Sequence, residues 1–196
     1  MESTLTVLLV DDSPHDRGMV RRELRHEFDS VQFVEATNDA ELAGALAEPT
    51  FDLVVTDFRI RWTDGLKVLK AVKSTYPTCP VLMFTATGNE EIAVEAMKSG
   101  LDDYIIKNVS HLVRLRGAAR LALEHAANKR RADQLASRLQ LLLSQLQMGV
   151  FSCTTEGRFL ELNDAMIALL QADFPASSRP RSRRRSPQGR PRAGPR

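Results

Sequence analysis

Five short apolar runs punctuate the first 107 residues of this chain, at 6–10 (TVLLV), 31–36 (VQFVEA), 52–56 (DLVVT), 81–85 (VLMFT) and 103–107 (DYIIK). Most are β-branched or aromatic, the composition of strands buried on both faces of a parallel sheet. The segments between them carry helix punctuation. Ser13 before Pro14 reads as an N-cap with a first-turn proline, and Asn38 or Asp39 stands before AELAGALA in the same role. Gly65 opens GLKVLKAVKSTY, where Leu66, Leu69, Val72 and Lys73 follow helical spacing, and Gly100 closes NEEIAVEAMKSG. Alternation repeated five times predicts an α/β fold, a doubly wound five-stranded parallel sheet. Ligands of such sheets bind at the carboxyl ends of the strands, near a topological switch point.

Those ends carry chemistry. Asp11 and Asp12 follow the first strand, Asp57 the third, Thr85 ends the fourth and Lys107 the fifth. A buried strand ending in two carboxylates needs a cation or donors nearby, because desolvating unpaired charge is costly. Clustered oxygen ligands suit a hard divalent cation such as Mg²⁺. Asp57 is then placed to attack a phosphoryl donor, with Lys107 and the Thr85 hydroxyl contacting the transferred group. Each residue alone has a plainer reading, as a turn aspartate, a loop aspartate, a structural threonine or a solvated lysine. Their coincidence at the correct strand ends favours a site.

On these residues the stretch 4–125 resembles the receiver domain of two-component response regulators, a flavodoxin-like fold. The resemblance implies that Asp11 and Asp12 hold Mg²⁺ together with Asp57 and the backbone carbonyl of Arg59. It implies that Asp57 is the phosphoacceptor, Thr85 the switch hydroxyl, Tyr104 the aromatic that swings inward on activation, and Lys107 the lysine that grips the phosphoryl group. The implied donor is a sensor histidine kinase or a phosphotransfer protein. The chemistry would be self-phosphorylation and autodephosphorylation at Asp57, with no enzyme activity on another substrate.

The loop DFRIRWTDG departs from the family pattern, keeping Gly65 but placing Ile60 and Arg61 where Met-Pro is common. Asn108 follows Lys107 where the family often has a cis-proline. A cis bond before Val109 would cost about 2.5–4 kcal/mol, so a trans bond, or a strained one, is expected. Arg59 and Thr87 occupy the flanking positions that tune dephosphorylation in the family. His15, His26, His111 and His125 do not cluster, Trp62 reads as a loop aromatic, and Cys79 as packing.

Composition narrows the classes. Cys79 and Cys153 are far apart, so neither a disulfide framework nor a zinc site is suggested. No apolar run approaches the roughly 20 residues of a membrane span, and no signal pattern opens the chain; a cytoplasmic protein is expected. The net charge of +2 includes eight arginines and no acid within 179–196, leaving −6 for residues 1–178. The acidic body gives nucleic-acid binding no electrostatic support.

After Lys107 the pattern changes. Leu121, His125, Asn128, Ala132, Leu135, Leu139, Leu142 and Leu146 are spaced alternately by four and three, a heptad seam. A long helix is expected, either as a parallel homodimer through 121–146 or as an amphipathic helix packed on its own domain. Residues 148–170 read as strand, turn at Glu156-Gly157, strand and helix from Asn163, and resemble the opening of a PAS sensor domain. The expected organisation is a receiver at 4–117, a helical or coiled-coil linker at 118–147, a partial PAS-like segment at 148–177 and a disordered Arg/Pro-rich tail at 178–196. The abrupt change of composition inside the PAS-like unit is expected to reflect a shifted reading frame or a truncated gene, and sequencing the locus would expose a PAS continuation in another frame. Two functions follow: a phosphoacceptor relaying signal through its C-terminal helix, or a phosphorylation-independent interaction module on a receiver scaffold.

Overall fold

The structure is a computed structural model that describes residues 4–47, 51–86, 90–108, 112–145, 148–157 and 159–170. The chain divides into two compact units, residues 1–132 and 133–196. In the first, β1 (Leu5–Val10), β2 (Val31–Ala36), β3 (Leu53–Thr56), β6 (Val81–Thr85) and β7 (Asp103–Ile106) fall within a residue of the predicted runs. Between β3 and β6 lie two further short strands, β4 (Arg59–Ile60) and β5 (Thr63–Asp64). The helices are α1 (Pro14–Glu27), α2 (Asp39–Ala47), α3 (Gly65–Thr75), α4 (Glu90–Lys98) and α5 (Leu112–Gln145).

The large sheet has the order β2-β1-β3-β6-β7, and every pairing in it is parallel. The central strands β3 and β6 are buried along their whole length, whereas the edge strands β2 and β7 are mostly half-buried. Period-two alternation sorts the side chains into two cores. Leu8, Val10, Val54 and Met83 meet Val68, Leu69 and Val72 of α3 on one face. Val7, Leu9, Val55 and Phe84 meet Val20 and Leu24 of α1 and Leu115 and Ala119 of α5 on the other. β1 has β2 on one side and β3 on the other, so the winding reverses there. The crevice opens beyond the carboxyl ends of β1 and β3.

Local signals did what their chemistry requires. The Ser13 hydroxyl accepts from the Asp16 N–H at 3.3 Å and Pro14 occupies the first turn of α1. Asn38 caps α2 by accepting from the Glu41 N–H at 3.0 Å. Gly100, at φ +93°, follows α4 in the left-handed region that glycine adopts at least cost. Among the described residues no peptide bond is cis, the bond joining Lys107 to Asn108 included, and Val109 lies outside those residues.

The β4–β5 hairpin was not foreseen. Arg59 pairs with Asp64 and Ile60 with Thr63, leaving Arg61 and Trp62 at the turn. Strands of two residues carry no periodicity to read.

Helix α5 runs on without a break at 117–118, and Ala118 lies buried against the sheet. Its inward face uses Leu115, Ala118, Ala119, Ala122 and Ala126. The described seam residues Leu121, His125, Asn128, Ala132, Leu135, Leu139 and Leu142 are all exposed, and Leu146 lies outside the described residues. In the second unit, β8 (Phe151–Cys153) and β9 (Phe159–Leu162) form an antiparallel hairpin followed by α6 (Asp164–Leu170). Asn163 ties it together, accepting from the Val150 and Met166 N–H groups and donating to the Met148 carbonyl, each at 2.8 Å. The tail expected at 178–196 lies outside the described residues.

Candidate phosphoacceptor site

Asp11, Asp57, Thr85 and Lys107 each stand at the carboxyl end of a strand of the large sheet. Asp11 follows β1, and its Oδ1 accepts from the Ser13 N–H at 2.7 Å as the chain turns into α1. Arg17, one turn into α1, donates to the Asp11 carbonyl at 2.7 Å and to Glu35 of β2 at 2.6 Å, tying the turn to the sheet. Asp57 follows β3; its N–H donates to the Val10 carbonyl at 3.0 Å, which sets it beside Asp11. The Phe58 and Arg59 N–H groups both point at Asp57 Oδ1. Gly65 approaches so closely that a Cβ there would lie 2.5 Å from the Asp57 carbonyl oxygen.

Lys107 is the cation that the acidic strand ends require. Its Nζ donates to Asp11 Oδ2 at 2.9 Å, Asp57 Oδ2 at 2.7 Å and Asp16 Oδ2 at 2.6 Å. It also lies 5.8 Å from the centre of the Phe84 ring. Its backbone N–H donates to the Thr85 carbonyl at 2.7 Å, which fixes the root of the side chain at the sheet end. Burial alone would lower the ammonium pKa, but hydrogen bonds to Asp16, Asp57 and Asp11 outweigh it and hold the pKa above the usual lysine value. Asp11 goes the other way for a carboxylate: burial raises its pKa, and the Lys107 and Ser13 hydrogen bonds only partly offset that.

Thr85 is fully buried at the end of β6. Tyr104 of β7 packs against the α3 side of the sheet, and its hydroxyl is buried without a hydrogen-bond partner among the described residues. Burial and the Asp57 charge raise the pKa of that phenol. Thr87 lies outside the described residues.

Asp11, Asp57 and Lys107 therefore converge as expected, and Asp12 does not join them. Its carboxylate pairs with the Arg61 guanidinium instead. The carboxylates whose oxygens lie within 4.8 Å of one another are Asp11, Asp57 and Asp16. Asp16 was missed because a first-turn helix aspartate is ordinarily explained by the helix dipole. Its position five residues after Asp11, just past a capped turn, was the available signal. These are hard oxygen donors of the kind a small divalent cation takes, and in this structure each of the three holds the Lys107 ammonium. The Arg59 N–H lies against Asp57, and Arg59 opens the β4–β5 hairpin.

Comparisons with known proteins give the family and the fold. Residues 7–120 match the family described as response regulator receiver domain. The transcriptional regulatory protein ZraR of Salmonella typhimurium is 35% identical over 121 residues, covering 62% of this chain and 27% of ZraR. ResD of Bacillus subtilis is 34% identical over 104 residues, covering 53% of this chain and 42% of ResD. Among solved structures, NtrX from Brucella abortus aligns with a TM-score of 0.61 at 30% identity, over 68% of this chain and 30% of NtrX. A CheY-like receiver domain protein from Methanospirillum hungatei aligns with a TM-score of 0.57 at 22% identity, over 65% of this chain and 99% of its own. The chain spans about a quarter to two fifths of the length of these two curated relatives. With more than half of its residues matched and its acids gathered at the switch point of the sheet, the chain belongs to the response regulator receiver family.

Proposed function

We propose that this protein takes a phosphoryl group from a sensor histidine kinase or phosphotransfer protein onto Asp57. The observation that carries the reading is the Lys107 ammonium held simultaneously by Asp11, Asp16 and Asp57 at the sheet's switch point. In this reading an Asp57 carboxylate oxygen attacks phosphorus, and the bond from phosphorus to the donor imidazole nitrogen breaks as the acyl phosphate forms. Lys107 moves its proton donors from Asp57 onto a phosphoryl oxygen, and the Thr85 hydroxyl, at the neighbouring strand end, donates to another. Asp11, Asp12, Asp57 and the Arg59 carbonyl would hold Mg²⁺, which supplies positive charge to the phosphoryl oxygens. No helix among the described residues is long and apolar enough to cross a membrane.

Signal would leave through α5. The exposed seam from Leu121 to Leu142 supports a parallel homodimer as the relay, since a four-three repeat is complementary to a second copy of itself. The similarity of 148–170 to the start of a PAS domain supports an output or sensory partner attached there.

The test is the intact mass of the full chain after incubation with Mg²⁺ and acetyl phosphate, beside an Asp57→Ala control. A phosphoryl adduct on the wild type alone is expected. Its absence, together with failure to bind a fluoroberyllate mimic, would favour phosphorylation-independent docking and direct attention to the loop from Phe58 to Asp64.

A further inference from the structure

Asp12 cannot serve two cations with the same lone pairs. We propose that Arg61 is an internal counter-ion that competes with the divalent cation for Asp12 and thereby weakens metal binding. The inference rests on reading Asp12 as a ligand of that cation. Arg61 Nε donates to Asp12 Oδ2, while Asp11, Asp16 and Asp57 share Lys107. The pair joins the turn after β1 to the tip of the β4–β5 hairpin, two loops 49 residues apart in sequence.

Nothing in the hairpin itself needs an arginine at this position. The turn is closed by the Ile60–Thr63 pairing, and Ile60 anchors it in the core. The Arg61 side chain is 82% exposed, whereas that of Asp12 is 17% exposed. An exposed guanidinium can leave at small cost, so the pair is a removable lid on the carboxylate and contributes little to the fold. A guanidinium stays charged throughout the accessible pH range. The competition is weakened by salt.

The experiment is an NMR titration of the ¹⁵N-labelled full chain with MgCl₂, following the amides of Asp57 and Phe58, for wild type, Arg61→Gln and Lys67→Gln. Lys67 pairs with Asp64 at the start of α3 and makes no ion pair with the acids of the site. Its substitution removes the same charge from the same loop region. The expected result is an Arg61→Gln dissociation constant roughly twofold to fivefold tighter than wild type, the range an exposed ion pair commands, with Lys67→Gln unchanged. An Arg61→Gln constant equal to or weaker than wild type overturns the proposal, as does equal tightening by Lys67→Gln, which would mean a general field effect. Loss of Mg²⁺ binding in all three proteins would instead sink the metal reading itself, and the proposal with it.

Discussion

Replacing Lys107 by methionine keeps an unbranched apolar stem as far as the ε position while removing the ammonium that three carboxylates share and that lies by the Phe84 ring. The Lys107, Asp11 and Asp57 side chains are 6%, 9% and 12% exposed, so little water is available to replace the ammonium. Removing one partner of a buried ion pair costs about 3–5 kcal/mol. Asp16, at 21% exposed, can still turn toward solvent, which places the expected loss at the lower end, about 3 kcal/mol. For a domain of this size, with a urea slope of about 1.5 kcal/mol/M, that is a fall of about 2 M in the unfolding midpoint. The loss should shrink on acidification, because Asp11, whose carboxyl is already held above the usual aspartate range by burial, takes up a proton and relieves the repulsion. Mg²⁺ should restore part of the stability, since a cation bound only by the folded state stabilises it by mass action. Urea unfolding followed by far-UV circular dichroism, at low salt with and without Mg²⁺, measures all three effects. A Lys107→Met midpoint within about 0.5 M of wild type at neutral pH would refute the reasoning.

Three further outcomes follow from the same geometry. Gly65→Ala drives a Cβ to within 2.5 Å of the Asp57 carbonyl oxygen and 2.9 Å of the Phe58 Cα, backbone that cannot swing aside. It should cost about 1–3 kcal/mol in thermal unfolding and lower phosphoryl uptake. Glu23 is buried and accepts from Arg116 at 2.6 Å and 2.9 Å. Burial alone would raise its pKa, yet hydrogen bonds from Arg116 and Arg22 outweigh that and hold it below the usual 4.5. A depressed acid stabilises the fold above its unfolded pKa and loses that contribution as pH falls through the folded one. Glu23→Gln should therefore cost about 1–2 kcal/mol at pH 7 and converge on wild type below pH 4.5; urea midpoints across that range check it. Leu139→Lys puts a charge into the exposed seam of α5. Sedimentation at micromolar concentration should show a wild-type dimer and a monomeric variant, and a monomeric wild type would remove the coiled-coil reading.

Most of the site was legible before any coordinates, because its members stand at the ends of strands that hydrophobic patterning marks out. The five runs predicted the sheet, and a doubly wound sheet has one place for ligands. Asp11, Asp57 and Lys107 could therefore be brought together by topology alone. What patterning could not reach were relations between side chains on different loops. The partner of Asp12 is 49 residues away, on a hairpin whose strands are too short to show a period. Nor does any sequence pattern link Asp16, in the first turn of α1, to Lys107, 91 residues away, whose ammonium lies 2.6 Å from it.

The heptad seam shows the same division. Spacing alone left two destinations for α5, its own domain or a second copy. The helix uses Leu115, Ala118, Ala119, Ala122 and Ala126 to pack on the sheet, while the seam from Leu121 to Leu142 faces solvent. Periodicity records how many apolar faces a helix has, and only packing decides which face its own chain covers. Sequence by itself determined the five long strands, their alternation with helices and the acids at the strand ends, since these follow from local burial patterns. The tertiary structure decided which carboxylates share Lys107 and which one Arg61 holds, because charge pairing falls off within a few ångströms and is settled by where loops distant in sequence come to rest.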